Sequence, residues 1–184
     1  LFKSNWLVSW ILIKLPMLRT FLNIDYFVTF VNTLKKIGYL MEAQACAEKC
    51  AKIMLESDSA TKHVGIRLDK IGPGFAKMSM KVDLHHLNGH NICHGGFIFT
   101  LADSTFAFAC NSYNEITVAQ FNTITFIETA EVGELLIATA EEINKRGRTG
   151  IYDVRVVGSQ NRVIAEMRGC SRKLNGKHFA EDEQ

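Results

Sequence analysis

Apolar and polar residues alternate along several short stretches of this chain, and the alternation predicts β-strands. Between residues 77 and 82, Met78, Met80 and Val82 fall on one face and polar residues on the other. An earlier strand is predicted over residues 63–70, and Gly72-Pro73-Gly74 marks a turn between the two. The first two strands are therefore expected to form a hairpin.

Four further strands are predicted in the second half of the chain. Residues 118–127 alternate between two faces, one with Asn122, Ile124 and Phe126 and the other with Phe121, Thr123 and Thr125. The remaining strands are predicted over residues 135–143, 150–157 and 162–173, with turns at 146–148 and 158–161. Strands joined by such short turns are expected to form an antiparallel meander.

Two stretches have the composition of helices. Residues 42–56 are good helix formers with apolar side chains near helical spacing, and residues 57–61 predict a break after them. The second helix begins at about Gly95 and is rich in Phe, Leu, Ile and Ala. Because antiparallel strands flank this very apolar helix, the pattern predicts an α+β fold in which a sheet wraps around one long helix.

Residues 1–40 differ from the rest of the chain, since they hold both tryptophans and eight of the eighteen aromatic residues. Their longest uncharged run, residues 4–13, is shorter than the ~20 apolar residues that span a bilayer, so a membrane partner is not expected. We interpret residues 1–40 as upstream sequence before a natural start at Met41, with an interfacial anchor or an added packing helix as alternatives. The domain is predicted over residues 41–176, and residues 177–184 as a polar, frayed tail.

Composition and charge exclude some classes of protein. A hydrophobic content of 47% over 184 residues predicts one globular domain. The whole chain has a net charge of +2, and residues 1–40 alone carry +4, so residues 41–184 carry −2. This balance predicts no nucleic-acid partner. Five irregularly spaced cysteines predict reduced thiols in a cytoplasmic protein: Cys46, Cys50, Cys93, Cys110 and Cys170.

Asp103 is the only formal charge between Asp83 and Glu115, histidines aside. An unpaired carboxylate in apolar surroundings loses its hydration, so Asp103 is expected to face a cleft, to have a partner or to do chemistry. Gly95 and Gly96 open the same helix eight residues earlier. The first N–H groups of a helix suit an oxyanion, and glycines let a ligand come close to them.

The string NGHNICHGGFIFTLADSTFAFACNSY at residues 88–113 resembles the signature of hotdog-fold acyl-CoA thioesterases. Its pattern HGG-x4-LAD-x2-FA-x-ACNS is similar to that of the PaaI-type thioesterases of phenylacetate degradation, and residues 147–154 and 168–176 resemble their late strands. The resemblance covers residues 41–176. It implies a hotdog fold and hydrolysis of acyl-CoA thioesters, with hydroxyphenylacetyl-CoA favoured, by a homodimer or homotetramer. It implies no metal and no cofactor besides the coenzyme A of the substrate.

The resemblance also implies roles for particular residues. Asp103 matches the catalytic carboxylate, which either activates water or attacks the thioester directly, and both roles stay open. The N–H of Gly95 would polarise the thioester carbonyl, His94 would shape the turn, and Asn88 matches a position that orients water or the carbonyl. Candidate contacts to the substrate or its coenzyme A are Gly96, Arg148, Thr149 and Gly150.

The spacing of Gly95 and Asp103 has a geometric consequence. Eight residues of helix separate them by roughly 12 Å. An oxyanion donor must lie ~3 Å from the oxygen that it stabilises, so the two residues cannot easily serve one reacting carbon within one chain. The active site is therefore predicted to combine Gly95 of one subunit with Asp103 of its neighbour across a two-fold dimer interface.

Several alternatives remain open from the sequence. Asp103 can be a structural acid, and Gly95 and Gly96 can serve only close packing. His86, His90 and His94 recur every four residues, as a metal-binding face would. The fold can also serve a non-catalytic acyl-CoA sensor, or a membrane-associated thioesterase for medium or long chains.

The chain departs from the thioesterase pattern in two places. Ala119 offers no hydroxyl where some relatives place a serine. Residues 128–133 contain acids where relatives often carry Pro-Gly and a basic residue. No contact to a coenzyme A phosphate is therefore carried over to residues 128–133.

Overall fold

The strands form one six-stranded antiparallel sheet in the computed structural model, which describes residues 24–180 and side chains from Val28 onward. The strands are β1 (Ile66–Gly72), β2 (Phe75–Lys81), β3 (Thr117–Phe126), β4 (Leu135–Arg146), β5 (Thr149–Val157) and β6 (Val163–Lys173). Their order in the sheet is β1-β2-β4-β5-β6-β3, so the strand that directly follows the central helix lies at one edge. All six predicted strands are confirmed, with boundaries shifted by a few residues.

Three α-helices accompany the sheet: α1 (Ile24–Ser57), α2 (Ser59–His63) and α3 (Gly95–Cys110). Two 3-10 turns, Leu84–His86 and Ser159–Asn161, complete the described elements. Leu101, Ala102, Phe106 and Ala109 of α3 are fully buried. Because the strands pack against α3 and leave these side chains no solvent, the predicted arrangement of a sheet around one central helix is confirmed.

The core is formed by the inner face of the sheet and by α3. Met78 and Met80 of β2 are fully buried, as the alternation predicted. The rings of Phe106 and Tyr152 meet edge to face at 5.4 Å between centroids. A Cβ at Gly169 would lie 2.9 Å from the Phe106 ring, so α3 approaches β6 closely enough to require glycine at this position.

Two local predictions differ from the structure. The first strand does not begin at residue 63, because residues 59–63 form α2, whose N-cap Asp58 accepts a hydrogen bond from the Thr61 backbone N–H at 2.9 Å. The predicted frayed tail is wrong through Phe179, since the Asn114 side chain and the Phe179 backbone exchange two hydrogen bonds of 3.1 Å.

The chain divides between Glu42 and Ala43 into two units. In the first unit, apolar side chains such as Phe30 and Leu34 are exposed. No helix within residues 24–180 combines the length and the hydropathy that crossing a bilayer requires. Residues 1–23 lie outside the described residues, so the upstream-sequence and anchor interpretations stay predictions.

The edge strand β3 pairs with β6 on one side, and no described strand pairs with its other side. Its outer face includes the exposed apolar side chains of Val118 and Phe121. A long edge strand with open N–H and C=O groups is a natural place for pairing with another chain.

His86 is buried at the end of the turn that leads to the α3 loop. Its Nδ1 accepts a hydrogen bond from the Asp83 N–H at 3.0 Å, its ring packs on Phe97, and its Nε2 has no hydrogen-bond partner among the described residues. Burial first, and then His85, hold the pKa of His86 below its usual value, while Asp83 and the Val64 backbone act in the opposite direction.

Acid is expected to destabilise the fold through His86. Because the folded-state pKa lies below the unfolded value of about 6.5, the unfolded chain binds the proton more readily. The free energy of unfolding should therefore fall as the pH drops below about 6.5, and chemical denaturation at several pH values measures it. His86→Gln should show a smaller fall than the exposed control His90→Gln, and equal falls in the two variants would contradict this role.

Candidate active site

The N-terminus of α3 carries an available backbone donor. His94 is the N-cap residue, and its Nδ1 accepts a hydrogen bond from the Gly96 N–H at 2.8 Å. The N–H groups of Phe97 and Ile98 donate to the His94 carbonyl. The Gly95 N–H has no hydrogen-bond partner among the described residues. His94 thus shapes the turn and occupies Gly96, which leaves Gly95 as a donor at the positive end of the helix.

Phe126 stands next to this donor. A Cβ built on Gly95 would lie 3.1 Å from Cζ of the Phe126 ring, so the ring covers the space that a larger residue at position 95 would fill. Phe126 ends β3 and is 49% exposed. Among the described residues, the N-terminus of α3 therefore presents one unpaired N–H beside the aromatic ring of Phe126.

Asp103 lies about two turns further along α3 and is partly buried. Its Oδ1 accepts a hydrogen bond from Nδ2 of Asn122 on β3 at 2.6 Å. Burial raises the pKa of the Asp103 carboxyl above its usual value, and the hydrogen bond from Asn122 acts in the opposite direction. The carboxylate has one oxygen fixed by the sheet and can offer the other to a proton or an electrophile.

Asn88 lies in the loop that leads into α3. Its Oδ1 accepts hydrogen bonds from the backbone N–H groups of His90, at 2.9 Å, and Ile92, at 3.4 Å. The loop is closed on itself by the bridge between Leu87 and Cys93. The side-chain oxygen Oδ1 of Asn88 therefore stabilises the turn, and its Nδ2 group is the part that can donate to a ligand.

Arg148, Thr149 and Gly150 lie at the opposite end of the helix from Gly95. Arg148 donates from Nε to the Lys173 carbonyl at 3.0 Å, and Lys173 pairs with Thr117 at the start of β3. The same Thr117 bonds to Asn111, the C-cap of α3, whereas Phe126 at the end of β3 contacts the N-terminus. Within one chain, the structure does not bring Arg148–Gly150 together with Gly95.

The three histidines at the spacing of a metal-binding face have different environments and roles. His86 is buried against Phe97, His94 caps α3, and His90 is exposed. Within residues 24–180, no three His, Cys, Asp or Glu side chains come together as a metal site would require.

Comparisons with known proteins show the family of this chain. The model of the Thioesterase superfamily matches residues 90–165, which include α3. Acyl-coenzyme A thioesterase PaaI of Escherichia coli (strain K12) is 40% identical over 126 residues, 68% of this chain and 90% of the relative. The chain belongs to the thioesterase superfamily, in its PaaI-type branch.

Solved structures agree with this assignment. The E. coli PaaI protein from the phenylacetic acid degradation operon matches with a TM-score of 0.72 and 39% identity, over 73% of this chain and 97% of that chain. A mutant of the phenylacetic acid degradation protein PaaI from Thermus thermophilus matches with a TM-score of 0.62 and 32% identity, over 64% and 100% of the two chains. The hotdog fold and the family predicted from residues 88–113 are confirmed.

Asn122 is a polar contact of Asp103 that no sequence motif indicates. The alternation along β3 sets Asn122 on one face together with Ile124 and Phe126, and that face turns toward α3. A lone amide among apolar residues on the core side of a strand was the available signal, because a buried polar group needs a partner.

Proposed function

We propose that this PaaI-type chain hydrolyses acyl-CoA thioesters to a free acid and coenzyme A. The observation that carries the proposal is the unpartnered Gly95 N–H at the start of a helix whose middle holds a partly buried carboxylate, Asp103. The Gly95 N–H can donate a hydrogen bond to the carbonyl oxygen of a thioester. The Asp103 carboxylate can attack the carbonyl carbon or take a proton from a water beside it.

The proposed reaction begins with the thioester oxygen at the Gly95 N–H. As the carbonyl carbon is attacked, negative charge develops on this oxygen and is stabilised by the N–H and by the helix terminus. Asp103 either takes a proton from the attacking water or attacks the carbon itself, giving an anhydride that water then opens. In both routes the carbon–sulfur bond breaks, the coenzyme A thiolate leaves and takes up a proton, and the acyl group ends as a carboxylic acid.

The proposed site is shared by two subunits. Asp103 contacts β3 through Asn122, and Phe126 of β3 contacts Gly95, so both functional groups adjoin the open edge strand. If two copies pair antiparallel along β3, the Gly95 end of one copy lies beside the Thr117 end of the other. This pairing would also bring the partner's Arg148–Gly150 hairpin toward the Gly95 end, where it can contact coenzyme A.

The substrate we favour is an aryl thioester such as hydroxyphenylacetyl-CoA. Two of the matching structures are named for phenylacetic acid degradation. The ring of Phe126 beside Gly95 offers an apolar, flat surface for an aromatic acyl group. The protein would work without a metal or a separate cofactor, as a homodimer or homotetramer in the cytoplasm.

Release of free thiol from a panel of acyl-CoAs tests this function with the full chain. The panel contains hydroxyphenylacetyl-CoA, benzoyl-CoA and a long-chain acyl-CoA. We expect hydrolysis of the aryl thioesters with kcat/KM at least about tenfold above that of the long chain. Binding of coenzyme A without thiol release would support a sensor instead, and preference for the long chain would overturn the aryl assignment.

A further inference from the structure

Asn122 makes an unusual pair of contacts. Its Nδ2 donates to Asp103 at 2.6 Å, whereas its Oδ1 is buried and has no hydrogen-bond partner among the described residues. A buried carbonyl oxygen without a donor lowers the stability of a fold, so such an atom calls for an explanation.

Packing alone does not explain this amide. A Cβ at Gly169 would lie 3.1 Å from Asn122 Oδ1, which shows that the oxygen faces the backbone of β6 and not a polar group. An apolar side chain at position 122 would fill this space without an orphaned amide oxygen, but Oδ1 of Asp103 would then lose its donor. Turning the amide around would set its oxygen against the Asp103 carboxylate, so the observed orientation suits an ionised Asp103.

No other described side chain donates a hydrogen bond to Asp103. Ala119, further back on the same strand, has no hydroxyl to offer. The carboxylate therefore depends on Asn122 for its orientation. With Oδ1 held by the sheet, Oδ2 is left free to meet the water or the thioester carbon.

We propose that Asn122 is the positioning residue of the reaction: it fixes one oxygen of Asp103 and directs the other oxygen to the substrate. The inference rests on the proposed function, since it gives Asn122 a role through Asp103. It predicts that activity falls while fold stability changes little when the amide is removed.

Asn122→Leu tests this role, because leucine has a similar size and removes both the donor and the orphaned oxygen. We expect kcat to fall about 10- to 100-fold with KM changed less than about twofold, as when a reacting group is slightly misplaced. The acid limb of the pH profile of kcat/KM should move to higher pH, because burial then acts on the Asp103 pKa unopposed. The melting temperature should change little, because removing the orphaned oxygen offsets the loss of the donor to Asp103.

Thr123→Val, on the outer face of β3, is the matched control and should leave the pH profile unchanged. Titration of the Asp103 carboxyl by carbon-13 NMR in wild type and Asn122→Leu adds a readout that needs no turnover. An unshifted titration, or a loss of activity at every pH with a lower melting temperature, would overturn the inference. Absence of thiol release by the wild type would instead contradict the proposed function, whatever the titration shows.

Discussion

Asp103→Asn is expected to lower kcat for thioester hydrolysis by about 10³-fold, within the range that a general base supplies. Asparagine has the shape of aspartate but neither takes a proton from water nor attacks a thioester. The change keeps an oxygen that can accept the 2.6 Å hydrogen bond from Asn122. Substrate affinity should therefore change little, and steady-state kinetics with coenzyme A binding would separate the two effects.

The same variant should be as stable as the wild type or more stable. The raised pKa of Asp103 means that the ionised carboxyl is disfavoured in the folded state relative to the unfolded chain. This cost is present at neutral pH, where the group must ionise, and the neutral amide removes it. Proteins often retain such a cost at a site because activity requires it.

Asp153→Asn is the matched control, since it makes the same change in an acid that pairs with Arg168 on β6. It should retain wild-type turnover. A lower melting temperature of Asp103→Asn, with activity lost in proportion to unfolding, would identify Asp103 as a structural acid. Full activity would show that another group acts as the base.

The strands and the central helix were predictable because their signals are local. The period of two at Met78, Met80 and Val82 indicates a half-buried strand, and glycines at turns indicate where one strand ends and the next begins. The short helix α2 was not predicted, because the sequence shows only a break and a weak strand signal there. The capping hydrogen bond from the Thr61 N–H to Asp58 stabilises the helix, and it is seen only in the structure.

The site was predictable only in part, because its contacts join distant residues. Asp103 and Gly95 stood out through their own chemistry, whereas the hydrogen bond from Asn122 spans nineteen residues and depends on how β3 lies against α3. The position of Arg148 depends on strand order, which places its hairpin beside the C-terminus of α3. No pattern within the Arg148 hairpin itself carries this information.

Gly95→Pro should lower kcat by about 10²- to 10³-fold, the usual effect of removing one oxyanion donor. Gly95 is the first residue of α3, where proline is tolerated because the N–H makes no helical bond. His94 before it has φ −63° and ψ 133°, which a following proline accepts. Gly95→Ala is the control: it adds a Cβ near Phe126 but keeps the N–H, so it should retain more activity.

Mixing Gly95→Pro with Asp103→Asn tests whether the site is shared. In a dimer of one chain of each kind, Gly95 of the Asp103→Asn chain faces Asp103 of the Gly95→Pro chain, and one of the two sites is intact. Random pairing makes half of the dimers mixed, so activity should recover to about a quarter of the wild-type value per site. If mass spectrometry shows mixed dimers and no activity returns, Gly95 and Asp103 do not act on one substrate across the interface.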